Sequence, residues 1–244
     1  MYIYSYPALK AAGKLSGFQQ PQGLCVDKAG DVWVVDYGGE RVVEYAHGSH
    51  KSKAMLKTPV NHNPFACSVD PNTGDLAVTA SYGGDGPGYL YVYAKAKGTP
   101  KTYTDADFAY ASYPGYDDKG NIWLDGTNKA NKFVYAELPK GTTKFTSVKL
   151  KKPITSPGNL QFIGKYTALG DPSAGKIYQT SGSKVVGTTS FSDTQSIYGY
   201  YIDGSSVVCA DGSQYVEIYA YPAGGAPTAT VYFGSAASVA ISDK

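Results

Sequence analysis

Aspartate recurs at or just past the ends of predicted second strands, and this recurrence is the first pattern in the sequence that could support chemistry. The residues are Asp36, Asp125, Asp171 and Asp211, and Asp85 lies in a nearby predicted loop. Carboxylates gathered around one opening could bind a cation or a polyhydroxylated ligand. Alternatively, each Asp accepts a backbone N–H and caps a turn, which needs no ligand. The sequence leaves both interpretations open.

Tyrosines in the predicted connections could line the same opening. They are Tyr82, Tyr110, Tyr113, Tyr198, Tyr200 and Tyr201. A tyrosine ring offers a flat apolar face, and a neighbouring carboxylate offers hydrogen-bond acceptors, which is a combination that suits sugars. We therefore predict that Tyr82, Tyr110, Tyr113 and Tyr200 form a ligand-binding set with the five aspartates.

Motifs for catalysis or metal binding are missing from the sequence. It contains no nucleophile elbow, P-loop, HExxH or dinucleotide-binding fingerprint, and no CxxC pair. His47 and His50 fall in one predicted turn and His62 on the opposite face, which excludes a three-histidine metal site. We predict no catalytic residue, no metal ligand and no cofactor, with a divalent cation in a central channel as the alternative.

Composition restricts the partners. The 244 residues carry a net charge of only +2, and Arg41 is the sole arginine, so nucleic acid is not expected as a partner. No apolar run approaches the roughly 20 residues of a membrane-spanning helix. Low charge with abundant Gly, Ser, Thr and Tyr is typical of extracytoplasmic bacterial proteins. We predict an extracytoplasmic or secreted protein whose signal peptide has been removed.

The elements that must position these residues repeat along the chain. Glycines of one turn type recur at intervals of 44, 46, 44 and 40 residues, at Gly30, Gly74, Gly120, Gly164 and Gly204. A period of about 40–50 residues with four short strands per unit is typical of a β-propeller. We predict an all-β fold, one domain over residues 1–244, with six blades. The predicted innermost strands are 24–27, 67–70, 115–117, 159–163, 197–202 and 238–243.

The last predicted blade draws strands from both termini, residues 238–243 as its first strand and residues 2–6 and 14–16 from the N-terminus. Tyr6-Pro7 matches the third-strand ending Tyr221-Pro222, so the second strand of this blade has no sequence. An empty strand position would expose two unpaired edges. We expect an additional strand and a signal peptide upstream in the parent chain. Here a neighbouring molecule should fill the position, by self-association for example, or strand 2–6 should move inward.

Cys25 and Cys67 lie on neighbouring predicted innermost strands, one residue out of step, and therefore point from opposite pleats. Adjacent blades pack against each other through opposite faces. The two sulfurs could therefore form a bond if the Cα atoms come within about 7 Å of each other. A disulfide and two buried free thiols both remain possible. Cys209 is predicted to be a free core residue.

One segment carries a family resemblance. The pattern PQGL, then Asp27, then GDVWVVD and RVVEY over residues 21–45 resembles the NHL-type propeller repeat. The whole chain resembles secreted, mostly uncharacterised bacterial NHL-like proteins. Related propellers include streptogramin-lyase and gluconolactonase-type enzymes, whose motifs have no counterpart here residue by residue. The resemblance implies a fold. We predict a non-catalytic propeller that binds a small molecule, glycan or protein. One alternative is a metal-dependent lyase or lactonase whose active site lies in the central funnel. The other is a structural surface protein.

Overall fold

The computed structural model describes residues 1–82, 87–192, 196–212 and 214–243, and it is an all-β propeller. Each of five blades is a four-stranded antiparallel sheet whose strands follow chain order from the centre outward. The bounds are β3 (Pro21–Val26), β4 (Val32–Asp36), β5 (Arg41–Tyr45) and β6 (Ser52–Lys57) in blade one; β7 (His62–Val69), β8 (Leu76–Tyr82), β9 (Tyr89–Tyr93) and β10 (Lys101–Thr104) in blade two; β11 (Tyr110–Tyr116), β12 (Ile122–Thr127), β13 (Phe133–Leu138) and β14 (Thr146–Ser147) in blade three; β15 (Leu160–Ile163), β16 (Tyr166–Asp171), β17 (Lys176–Ser181) and β18 (Lys184–Ser190) in blade four; and β19 (Ile197–Asp203), β20 (Ser206–Asp211), β21 (Tyr215–Ala220) and β22 (Ala229–Tyr232) in blade five.

The core lies between neighbouring blades rather than inside any one of them. Second strands such as β4 read as continuous apolar runs because both of their faces are covered by adjacent blades. Between blades one and two, the fully buried Trp33 packs with Val35, Leu76 and Tyr91 in one cluster. The repeating apolar second strand is therefore what holds the ring of blades together.

The prediction of six blades is wrong, because the structure has five four-stranded blades. A separate two-stranded sheet, β1 (Tyr2–Ser5) and β2 (Lys10–Lys14), lies between blade five and blade one. The prediction that strands from both termini close the last blade is also wrong, since residues 238–243 form no strand. The physical reason is that a first strand needs a second strand to pair with, and none of the residues that the structure describes forms one at this position.

A disulfide joins Cys25 on β3 to Cys67 on β7, with the two Cα atoms 5.7 Å apart. It connects the innermost strands of blades one and two, which approach closely next to it at Gly23. Cys209 is a buried free thiol on β20. The covalent bond therefore crosses an interface between blades that apolar packing also holds.

Gly23 lies where the backbones of blades one and two approach each other closely. A Cβ atom there would lie 2.6 Å from the Phe65 carbonyl oxygen and 2.8 Å from the Ala66 Cα, both on the next blade. Because backbone cannot yield as a side chain does, we expect Gly23→Ala to lower the free energy of unfolding by about 1–3 kcal/mol. Urea denaturation measures the loss, with Lys28→Ala in the exposed turn as control. Equal midpoints for the two variants would contradict the prediction.

Candidate functional site

Asp36 is the first of the predicted site aspartates, and it is completely buried. Its Oδ1 accepts the backbone N–H groups of Gln19 and Gln20, each at 2.9 Å. Its Oδ2 accepts the Arg41 guanidinium at 3.0 Å. Asp36 therefore anchors the connection that enters blade one, and its carboxylate does not open onto the channel.

Asp125 and Asp171 are buried and are held by backbone in the same manner. Asp125 accepts the N–H of Tyr113 through Oδ1 and the N–H of Gly158 through Oδ2, each at 2.9 Å. Asp171 accepts the N–H of Thr155 at 3.0 Å. Burial raises the pKa of Asp125 well above its ordinary value, although the two backbone hydrogen bonds act in the opposite direction.

Asp211 is buried in blade five beside a second acid, Glu217. Burial raises the pKa of Glu217, and its contact with Asp211 raises it further, whereas a hydrogen bond from the Tyr219 hydroxyl lowers it. The pair lies inside the blade. With Asp36, Asp125 and Asp171 held by backbone, these positions fit the turn-capping interpretation, and their ligand-binding role remains a prediction.

Tyr113 occupies the centre of the ring and joins two blades that are not neighbours. It lies on β11 in blade three, and its hydroxyl donates a hydrogen bond at 3.0 Å to the carbonyl oxygen of Tyr198 on β19 in blade five. Its ring meets the ring of Phe65 on β7 edge-on, with centroids 5.2 Å apart. Burial, followed by the nearby Asp125 carboxylate, raises the pKa of the Tyr113 hydroxyl, so it stays a neutral donor.

Two further tyrosines, on the innermost strands of blades three and five, are exposed to solvent. Tyr198 is 50% exposed and Tyr110 is 39% exposed. We call Phe65, Tyr110, Tyr113 and Tyr198 the aromatic mouth. It offers apolar ring surface at the face where the chain passes from blade to blade.

The other predicted site residues fall elsewhere. Tyr200 is only 1% exposed and its hydroxyl donates to the Asn159 carbonyl oxygen, so it lies in the core between blades four and five. Tyr82 ends β8, and Asp85 lies outside the described residues. The predicted binding set did not include Phe65 or Tyr198, although Tyr198 was among the tyrosines expected to line the opening. The sequence feature that could have identified both residues is an aromatic side chain near the start of an innermost strand.

One group of acidic residues has the spacing of a metal site. Ligand atoms of Asp27, Asp31 and Glu44 lie within 4.8 Å of one another in blade one. The Lys53 ammonium bonds to Asp31 and, at 2.9 Å, to Glu44, and these contacts raise the pKa of Lys53. The Lys53 ammonium therefore already pairs with two of the three carboxylates, and we assign no metal to the group.

The fold is that of a β-propeller, and one stretch of the sequence matches a known repeat family. The NHL repeat family matches residues 18–45, which cover the entry to blade one and its first three strands. Among the described residues, no helix has the length and apolarity that a membrane crossing requires.

The curated relatives are distant and partial. Regucalcin of Homo sapiens is 31% identical over 80 residues, which cover 33% of this chain and 27% of regucalcin. Regucalcin of Xenopus laevis is 30% identical over 64 residues, covering 26% of this chain and 21% of that protein. The matches thus span about a quarter of the length of these relatives.

Solved structures share the fold over most of the chain. A structure described as the crystal structure of a nidogen/laminin complex aligns with a TM-score of 0.71 at 11% identity, covering 87% of this chain and 80% of that chain. A streptogramin B lyase structure aligns with a TM-score of 0.65 at 10% identity, covering 90% and 71%. At these identities the likeness shows the propeller architecture alone.

Proposed function

We propose that this protein is a non-catalytic binding protein whose ligand lies on the aromatic mouth. The observation that supports this most directly is the hydrogen bond from Tyr113 to the Tyr198 carbonyl across the channel. It supports the proposal because it holds the Tyr113 side chain across the channel, beside Tyr198. The carboxylate oxygens of Asp36, Asp125 and Asp171 accept hydrogen bonds from backbone N–H groups.

A saccharide is the ligand class that this surface suits best. The exposed rings of Tyr198 and Tyr110 provide flat apolar faces of the kind that sugar rings stack on. The half-buried side chain of Asn159, whose amide donates to the Tyr200 carbonyl oxygen, provides polar groups nearby. No cofactor is needed for such binding. A small molecule or a protein partner would use the same rings.

An extracytoplasmic location is part of the proposal. The disulfide between Cys25 and Cys67 supports it, because disulfides persist in oxidising compartments and are rare in the cytosol of most organisms.

The main alternative is a metal-dependent lyase or lactonase in the central funnel. It draws on the fold likeness to the streptogramin B lyase. This reading needs a divalent cation held on the channel axis by carboxylates that are free to bind it. A structural surface protein, with no small ligand, is the third reading.

A saccharide array followed by calorimetry tests the proposal, with Tyr198→Ala as the variant. We expect saturable binding of at least one saccharide and a loss of affinity of about tenfold, equivalent to about 1.4 kcal/mol, when the ring is removed. Tyr232→Ala is the matched control, since Tyr232 is exposed at the outer edge of blade five.

Three outcomes of these measurements would overturn the proposal. One is the absence of saccharide binding. Another is equal loss of affinity in Tyr198→Ala and Tyr232→Ala. The third is turnover of a lactone or streptogramin-type substrate that depends on added divalent cation.

A further inference from the structure

A cavity of about 610 Å³ lies between blade five and blade one, away from the aromatic mouth. The β1–β2 sheet forms its outer wall and residues 238–243 form its inner wall. Blade one contributes Leu24 and Val32 to one side, and blade five contributes Val208 and Val216 to the other. We call this cavity the strand groove.

The inner wall of the strand groove stands where a first strand would stand. In complete blades, a Cβ added to a glycine of one innermost strand would meet the next innermost strand. At Gly23 it would meet the Phe65 carbonyl oxygen, and at Gly115 the Leu160 Cβ. Gly199 on β19 has this relation to residue 238, since a Cβ on Gly199 would lie 2.9 Å from the Cα of Ser238. Residues 238–243 therefore occupy the innermost position of a sixth blade without forming a strand.

The outer wall stands where a third strand would stand. Tyr6-Pro7 follows β1 as Tyr221-Pro222 follows β21. Residues of the β1–β2 hairpin pack on blade one through Ile3 and on blade five through Leu9. The unoccupied position between β1 and residues 238–243 is that of a second strand.

Both walls present unpaired backbone to the groove. Met1 exchanges two backbone hydrogen bonds with Leu15, so the alternation of the ladder directs the N–H and C=O groups of Tyr2 and Tyr4 to the other edge of β1. No strand of the described chain pairs with that edge. Residues 235–243 make no backbone–backbone hydrogen bond within the described residues. A partner that brings its own backbone N–H and C=O groups would satisfy both walls.

We propose that the strand groove binds an extended apolar peptide segment, supplied by another polypeptide, which adds as the second strand of a sixth blade. The chemistry of this segment follows from the five second strands in place. Their side chains are mostly apolar, and β4, β16 and β20 end in Asp. Insertion of a strand between two unpaired edges is an established mode of peptide recognition.

Charge at one end of the groove fits the terminal Asp. In blade one, Asp36 at the end of β4 lies opposite Arg41 at the start of β5 and forms an ion pair with it. The equivalent position at the start of β1 is Tyr2, and the Lys14 ammonium lies 5.1 Å from the centre of its ring. The incoming segment should therefore run antiparallel to β1 and place its carboxylate near Lys14.

The probe is a labelled peptide with the sequence of residues 30–36, GDVWVVD, measured by fluorescence anisotropy against the whole protein. We expect saturable binding that falls at least about tenfold in Ala240→Trp, which fills the groove. Val186→Trp, at an exposed position on β18, should bind within about twofold of wild type. Lys14→Gln should weaken binding more at low salt than at high salt.

Two measurements separate strand addition from nonspecific apolar contact. A peptide with proline in place of the valine at position 34 lacks a backbone donor and should not bind. Amide hydrogen exchange followed by NMR should show the Tyr2 and Tyr4 amides protected by the peptide, since they face the groove.

The proposal is overturned if GDVWVVD does not bind, if its proline variant binds equally well, or if Ala240→Trp binds as tightly as Val186→Trp. Unchanged exchange at Tyr2 and Tyr4 would overturn it as well. Concentration-dependent dimers that protect these same amides without any peptide would assign the groove to a second copy of this chain instead.

Discussion

Replacing Cys25 and Cys67 together by alanine should lower the free energy of unfolding by about 4 kcal/mol, one of the two largest effects that we expect from substitution in this protein. The disulfide closes a loop with a sequence separation of 42 residues, which comprises most of blade one. A cross-link of this span removes many conformations from the unfolded chain, so its loss stabilises the unfolded state. Urea denaturation of oxidised wild type and the double variant gives the difference.

Reduction provides the matched control. A thiol reductant should lower the urea midpoint of the wild type towards that of the double variant and leave the double variant unchanged. Cys209 is buried as a free thiol and should contribute nothing to the response. A wild-type midpoint that does not respond to complete reduction would contradict the prediction.

Asp125→Ala should lower the free energy of unfolding by roughly 2–6 kcal/mol. The substitution leaves the buried N–H groups of Tyr113 and Gly158 without their acceptor, and each orphaned donor costs about 1–3 kcal/mol. Asp118→Ala, in the exposed turn of the same blade, is the control and should change stability by less than about 0.5 kcal/mol. Similar losses in both variants would contradict the prediction that the hydrogen bonds from Tyr113 and Gly158 to Asp125 stabilise the fold.

Asp125 should also make stability depend on pH. Burial raises its pKa in the fold above the ordinary value of 3.8, so the folded state holds the proton more tightly than the unfolded state does. The stability that this proton contributes is complete below about pH 4 and is lost as the pH rises through the folded pKa. Relative to Asp125→Asn, which cannot titrate, wild type should therefore gain stability from pH 7 to pH 4.

Urea denaturation of the two proteins across this pH range measures the difference. Because both proteins share every other titrating group, including Glu217, the effects of those groups cancel in the comparison. A constant difference between the two proteins would show that the pKa of Asp125 is the same in the folded and unfolded states.

The repeat of local elements could be predicted from the sequence. The glycines at positions 30, 74, 120, 164 and 204 all adopt positive φ in the structure, and each closes the turn between the first and second strands of one blade. Turns and apolar strands depend on residues that are close together in the sequence. The strands of five blades could therefore be predicted without coordinates. The one-residue offset between Cys25 and Cys67 was visible for the same reason.

The number of blades could not be obtained in this way. Residues 238–243 carry a first-strand sequence and residues 2–5 form a strand, but a blade exists only when adjacent strands exchange backbone hydrogen bonds. Pairing is a property of the closed ring. Counting first strands therefore overestimated the blades by one. The empty second-strand position was predicted from the sequence, and the tertiary structure shows the strand groove at that position.

The candidate site depended on the tertiary structure in the same way. The sequence identified Asp36 and Asp125 as strand-end carboxylates, but whether a carboxylate faces the channel or the connecting backbone depends on where the preceding connection runs. Tyr113 meets Tyr198 across a sequence separation of 85 residues, a contact that exists only because the ring brings blades three and five to a common centre. Turn chemistry is local and can be read from sequence, whereas partners across the channel are fixed by ring closure.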